Sequence, residues 1–127
     1  GYVASEIVKC MIKKNIPVNG SNVLILGITF KENCPDVRNT KAVDLVTALK
    51  DYWTNITIHD PWASEDEVMH EYGLESSKSL PKEKFDAIVL TVAHKSFLEL
   101  DLNFLKCLNS IIYDVKGVLK QQVDGSL

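Results

Sequence analysis

Cysteine is scarce and poorly spaced for pairing: only Cys10, Cys34 and Cys107 occur in 127 residues. An odd count with no C-x-x-C argues against a disulfide framework or a structural zinc site and fits a reducing cytoplasm. The three histidines, His59, His70 and His94, are scattered, so no residue pattern asks for a metal. Positive charge is also lacking. Fourteen Lys and Arg face seventeen Asp and Glu, a net charge of −3. With a pI near 5.6, this is no generally basic nucleic-acid binder. No apolar run approaches the ~18 residues of a membrane span, and no charged-then-apolar leader opens the chain. Disorder is excluded by composition, since hydrophobic residues make up 46% of the chain.

What remains is a length and composition suited to one globular core. Helical periodicity begins almost at once: Ala4, Ile7, Val8 and Met11 share one face, and Pro17 limits the helix. A helix opening uncapped beside Gly1 is expected of a piece cut from a longer polypeptide. Val23 to Leu26, closed by Gly27, reads as a buried parallel strand. After a polar loop from Lys31 to Asn39, Ala42, Leu45, Val46 and Leu49 repeat the helical spacing, with Asn39 or Thr40 as N-cap. Ile56–Ile58 is a second strand. Ser64 and Glu67 have capping-box spacing, and Gly73 fits the helix stop. Leu74–Ser76 suits a short edge strand, Phe85–Val92 the strongest strand, and Ile111–Tyr113 the last. Leu98, Leu102, Leu105 and Leu108 predict another helix, capped near Asp101. Residues 115–123 would close with a turn or short helix. Strands alternating with helices predict an α/β, Rossmann-like three-layer sandwich: a mostly parallel sheet with helices on both faces.

In such a sheet, ligands bind beyond the carboxyl ends of the strands, where the strand order reverses. The residues expected there are Phe30, Lys31, Asp36, Arg38, Asp60, His94, Lys95, Asp114 and Lys116. Cations cluster among them despite the negative net charge, as a phosphate ligand would require, although strand-end loops often carry solvated lysines. Gly27 stands alone, with no G-x-G-x-x-G, which counts against a dinucleotide pyrophosphate held in the usual cradle. Asp60, at the end of a strand, could meet a ribose but better suits a turn cap before Pro61. Cys34 lies between Lys31 and Arg38 yet has no identifiable base, so it reads as a passive thiol. His94 reads as a hydrogen-bonded structural residue. Phe30 could stack on a base or pack back onto the core. Trp53 and Trp62 are expected to cover core.

The segment Val23 to Arg38, VLILGITFKENCPDVR, resembles the opening of the C-terminal domain of UDP-glucose/GDP-mannose dehydrogenases. Gly27, Phe30, Lys31, Asp36 and Arg38 fall on its GxxFKxxxxDxR pattern. His59-Asp60-Pro61 resembles the motif ending the next strand, Asp114-Val115-Lys116-Gly117 that of the final strand, and Gly1-Tyr2-Val3-Ala4 the end of the connecting region. The resemblance implies that residues 1–20 are a helical tail of a preceding dimerisation region. Residues 21–127 would then be the UDP-sugar-binding domain of an enzyme that oxidises C6 of a nucleotide sugar twice, reducing two NAD. It implies Phe30, Lys31 and Lys116 as substrate-binding residues and Arg38 as reaching toward NAD, which is bound mainly by an N-terminal domain absent here. It implies no catalytic residue in this chain, because the family's cysteine lies in an upstream segment, and a homo-oligomer for the whole enzyme. Lys116, where the glucose-oxidising pattern has Arg, points to the branch acting on UDP-N-acetylhexosamines. The alternative is a stand-alone nucleotide- or partner-binding module without catalysis. A receiver-type domain fares worse, since Phe30-Lys31 occupy the place of its acidic cluster.

Overall fold

A computed structural model describes residues 2–127. Its central sheet has five strands, all parallel, in the order β2-β1-β3-β4-β5. These are β1 (Asn22–Leu26), β2 (Asn55–His59), β3 (Phe85–Leu90), β4 (Lys106–Asp114) and β5 (Gly125–Ser126). The helices are α1 (Tyr2–Lys13), α2 (Ala42–Lys50), α3 (Glu65–Tyr72) and the single turn α4 (Lys95–Leu98), followed by a 3₁₀ turn at Leu102–Leu105.

Two cores sandwich the sheet. Side chains alternate along a strand, so Val23 and Ile25 of β1 face one core while Leu24 and Leu26 face the other. Burial on both faces is why β1 and β3 read as continuous apolar runs. On the first face lie α1, α2 and α3, contributing Ile7, Met11, Val46, Leu49 and Val68. The second face is covered more thinly, by Phe97 of α4, Leu102 and Leu105 of the 3₁₀ turn, and Leu119 and Val123 of the last loop. No helix among the described residues is long and apolar enough to cross a membrane.

Several expected ends are realised in detail. The Ser64 hydroxyl accepts from the Glu67 amide at 3.3 Å, and Gly73 stops α3 with a left-handed φ of 67°. At α2 the expected cap, Asn39 or Thr40, is displaced by one residue: the N-cap is Lys41, which makes no side-chain cap bond, and Thr40 Oγ1 accepts from the Ala42 amide from just outside the helix. Gly27 is required by two constraints at once: its φ is +109°, and a Cβ there would lie 2.5 Å from Cβ of Val92.

Elsewhere tertiary context overrides the pattern. No helix runs from Leu98 to Leu108; α4 and the 3₁₀ turn are separate, and β4 has begun by Lys106. Leu102 and Leu105 are buried, but Leu98 is 44% exposed and Leu108 wholly so. The leucine spacing suits a helix, yet a short crossover suffices to bring β4 beside β3, and only part of that apolar face has a core to meet. Leu74–Ser76 form no strand; a single parallel bridge, His59–Ser77, extends the sheet beyond β2. β5 was not foreseen. It adds two residues beside Tyr113 and Asp114 and needs Gly125, because a Cβ there would meet the Tyr113 ring at 2.8 Å. Trp53 does not cover core: it is 73% exposed, on a turn with φ of 60°. Trp62 is half-exposed and lies over the ring of His94, with centroids 6.1 Å apart.

Candidate functional site

The chain passes from β1 to β2 on one side, then returns across β1 to β3 on the other. The strand order therefore reverses between β1 and β3, and a crevice opens at their carboxyl ends. A cleft of about 250 Å³ lies there. Thr29 and Phe30 line it from the loop after β1, Thr91 and Val92 from the end of β3, and Lys116 from the loop after β4. Asn39, Thr40, Lys41 and Ala42 close it with the N-terminus of α2. Two lysines and the positive end of a helix thus face one hollow in an acidic chain, an arrangement that attracts an anion.

Phe30 is 56% exposed, so its ring presents an open apolar face rather than packing back onto the core. Lys31, next to it, is exposed on the same loop but does not line the cleft. Arg38 lies elsewhere. Its guanidinium pairs with Asp36, Nε to Oδ1 at 3.1 Å and Nη2 to Oδ2 at 3.4 Å, and it borders a separate hollow with Glu71 and Tyr72, between α2 and α3. The Arg38 side chain and amide, hydrogen-bonded to the Asp36 carboxylate, hold that carboxyl below its usual range. A further hollow between α1 and α2 is mainly apolar, lined by Val3, Ala4, Leu45 and Ala48, and sits away from the strand ends.

Two buried aspartates shape the loops around the cleft. Asp114 Oδ1 accepts from the amides of Lys116 and Gly117 and Oδ2 from that of Leu119, which folds the loop that carries Lys116. Asp60 does the same for the first loop. Its Oδ2 accepts from the amides of Ile28 and Thr29 at 2.7 and 3.1 Å and from His94 Nε2 at 3.0 Å; its Oδ1 accepts from Trp62 N. Burial opposes its charge, but the hydrogen bonds from His94, Ile28 and Trp62 outweigh burial and keep the carboxyl below its usual range. Asp60 is therefore a turn cap. It also decides what the first loop can bind: the amides that a dinucleotide cradle would aim at a pyrophosphate are occupied by an internal carboxylate. With Gly27 alone in that loop, these residues do not fit a nicotinamide dinucleotide in the usual way.

His94 is buried and bonded through both ring nitrogens. Cys34 is a free, partly buried thiol. Among the described residues, no three His, Cys, Asp or Glu converge as metal ligands. Thr91 and Val92 were expected inside the strand Phe85–Val92; β3 ends at Leu90, which places them at its carboxyl end, in the cleft. Asn39 to Ala42 could not have been placed there from the sequence, because only the tertiary position of α2 brings its first turn to the strand ends.

These features define a class: a Rossmann-like binding domain whose switch-point cleft is cationic and whose first loop is closed to a dinucleotide. The chain belongs to the UDP-glucose/GDP-mannose dehydrogenase family, whose UDP binding domain matches residues 24–121. It is 42% identical over 123 residues to a UDP-N-acetyl-D-glucosamine 6-dehydrogenase of Pseudomonas aeruginosa, covering 94% of this chain and 29% of that protein. A protein of the same description from Salmonella typhi is 42% identical over 121 residues, covering 93% and 28%. The chain thus spans little more than a quarter of these relatives' length. In fold it is similar to an NDP-N-acetyl-D-galactosaminuronic acid dehydrogenase from Methanosarcina mazei Go1, with a TM-score of 0.80 at 23% identity, over 94% of this chain and 25% of that one.

Proposed function

We propose that this chain is the sugar-nucleotide-binding domain of an NAD-dependent UDP-sugar 6-dehydrogenase, of the branch that oxidises UDP-N-acetylhexosamines for polysaccharide precursors. The observation that carries the reading is the switch-point cleft, where Phe30, Lys116 and the first turn of α2 meet. Lys116 and the α2 N-terminus supply attraction for a diphosphate, and the open face of Phe30 offers stacking for a base or sugar. Lys41 is the second cation of the cleft; Lys31, exposed on the Phe30 loop outside it, would meet a phosphate that extends beyond the cleft, and Arg38 would reach toward NAD only by leaving its pair with Asp36. Two relatives at 42% identity are described as UDP-N-acetyl-D-glucosamine 6-dehydrogenases, which supports the substrate branch, as does Lys116 in place of Arg.

The rest of the polypeptide would hold NAD and the nucleophile, and would assemble as a homo-oligomer. A nicotinamide cofactor held there would supply the hydride acceptor for oxidation of the sugar carbon; the residues of this chain would bind and orient the nucleotide. Residues 1–20 would be the end of the connecting region, seated on the domain through α1. The three free thiols support a reducing, cytoplasmic compartment.

The test is an NMR titration of the labelled chain with UDP, then a UDP-N-acetylhexosamine, then NAD. UDP should shift Phe30, Lys31, Thr91 and Lys116, and NAD should shift little. Lys31→Ala should weaken UDP binding by tenfold or more, about 1.4 kcal/mol, as loss of a charge-assisted phosphate contact does. Shifts with NAD alone would sink the assignment.

A further inference from the structure

We propose that His94 is the positioning residue of the sugar-nucleotide site, holding the loop that presents Phe30 and Lys31 by binding that loop at both ends through its two ring nitrogens. The proposal rests on the sugar-nucleotide reading above.

The geometry surrounds one buried ring. His94 Nδ1 accepts from the backbone amide of Asn33 at 2.8 Å. That bond needs a lone pair on Nδ1, so in the neutral ring the proton sits on Nε2. Nε2 then faces two acceptors, Asp60 Oδ2 at 3.0 Å and Thr29 Oγ1 at 3.1 Å. Thr29 Oγ1 is free to accept because its own proton goes to the carbonyl of Lys31 at 3.0 Å. The ring thereby grips the loop at Thr29 and at Asn33. Only Phe30, Lys31 and Glu32 lie between the grips, and all three are exposed.

The clamp is reinforced from both sides. Asn33 adopts a left-handed φ of 54°, and its side chain accepts from the amide of Lys95, next to His94. The amide of Phe30 closes the base of the loop on the carbonyl of Asp36 at 2.7 Å. Trp62 stacks on the imidazole, and Phe97 meets its edge at 5.2 Å between centroids. No part of the ring reaches solvent, so His94 cannot touch a ligand. What it can do is prevent the ligand from having to order this loop, which keeps that entropy cost out of the binding constant.

The experiment uses the full 127-residue chain and compares it with His94→Gln, whose amide nitrogen can stand where Nε2 donates to Asp60 but which has no atom at the Nδ1 position to accept from Asn33. Two readouts are taken: backbone ¹⁵N relaxation of residues 29–33 without ligand, and the Kd for UDP. The imidazole ¹⁵N spectrum of the parent should show the Nε2–H tautomer. In the variant, Phe30 to Asn33 should become mobile while Thr91 and Lys116 stay ordered, and the Kd for UDP should rise at least tenfold. Thr29→Val should loosen the same loop, and Thr29→Ser should restore it; this pair decides the matter should His94→Gln not fold. A loop that stays ordered in both variants overturns the proposal. So does a loosened loop with an unchanged Kd. If the parent chain binds no UDP, the sugar-nucleotide reading falls, and the clamp itself is still decided by the relaxation of residues 29–33.

Discussion

Asp60 accepts four hydrogen bonds on two oxygens while almost fully buried, and its charge is what the surrounding donors stabilise. Its folded pKa lies below its unfolded value, so its contribution to stability is fully present above the unfolded pKa, near ~3.9. That contribution is lost as pH falls through the folded value. Asp60→Asn should therefore be less stable than the parent at pH 7, and the gap should narrow below about pH 4. Thermal melts of both proteins between neutral and acid pH measure this; a gap that stays constant into acid would show that the charge is not what matters. At this scale the sequence was partly legible. Asp60 before Pro61 was readable as a turn cap, but its acceptance of amides from residues 28 and 29 was not, because two strands must first lie side by side. Phe30 left two readings open, and its exposure excludes the one in which it packs back onto the core.

Among the elements, α1 shows how far pattern reaches. Ala4, Ile7, Val8 and Met11 were readable as one face, and all four are buried against the sheet and α2. Met11 is fully enclosed, so Met11→Ala should cost about 2–5 kcal/mol in a urea unfolding curve. A loss under about 0.5 kcal/mol, the scale of a surface substitution, would mean that α1 is not part of the cooperative unit. Lys14 ties the end of this helix to the far edge of the sheet, reaching the Ser110 carbonyl and Asp124, each at 3.0 Å. The leucines from 98 to 108 show where pattern fails. Their spacing holds for a helix, but Leu108 belongs to a strand and points into solvent. β5 had no signal at all: two residues cannot show a period, and Gly125 is there because Tyr113 leaves no room for a side chain.

For the whole molecule, the cleft and the first loop together predict a division of labour. The labelled chain supplied with a UDP-N-acetylhexosamine and NAD should bind the nucleotide sugar but form no NADH. Its first-loop amides are capped internally, and its cleft holds lysines and an aromatic ring rather than a thiol. Sustained NADH production would overturn both the cofactor assignment and the passive reading of Cys34.

Sequence alone determined the alternation of strands and helices, the parallel sheet, the buried faces of β1 and β3, and the absence of a glycine cradle. Those follow from local periodicity and residue type, which need no partner to be read. Only the tertiary structure decided that the strand order reverses between β1 and β3, that Arg38 turns away to Asp36, and that His94 and Asp60 meet beneath the Phe30 loop. The strand order and the His94–Asp60 contact depend on residues tens of positions apart arriving at one place, whereas Asp36 stands only two residues from Arg38. Packing and hydrogen bonding across strands impose that convergence, and spacing along the chain does not encode it.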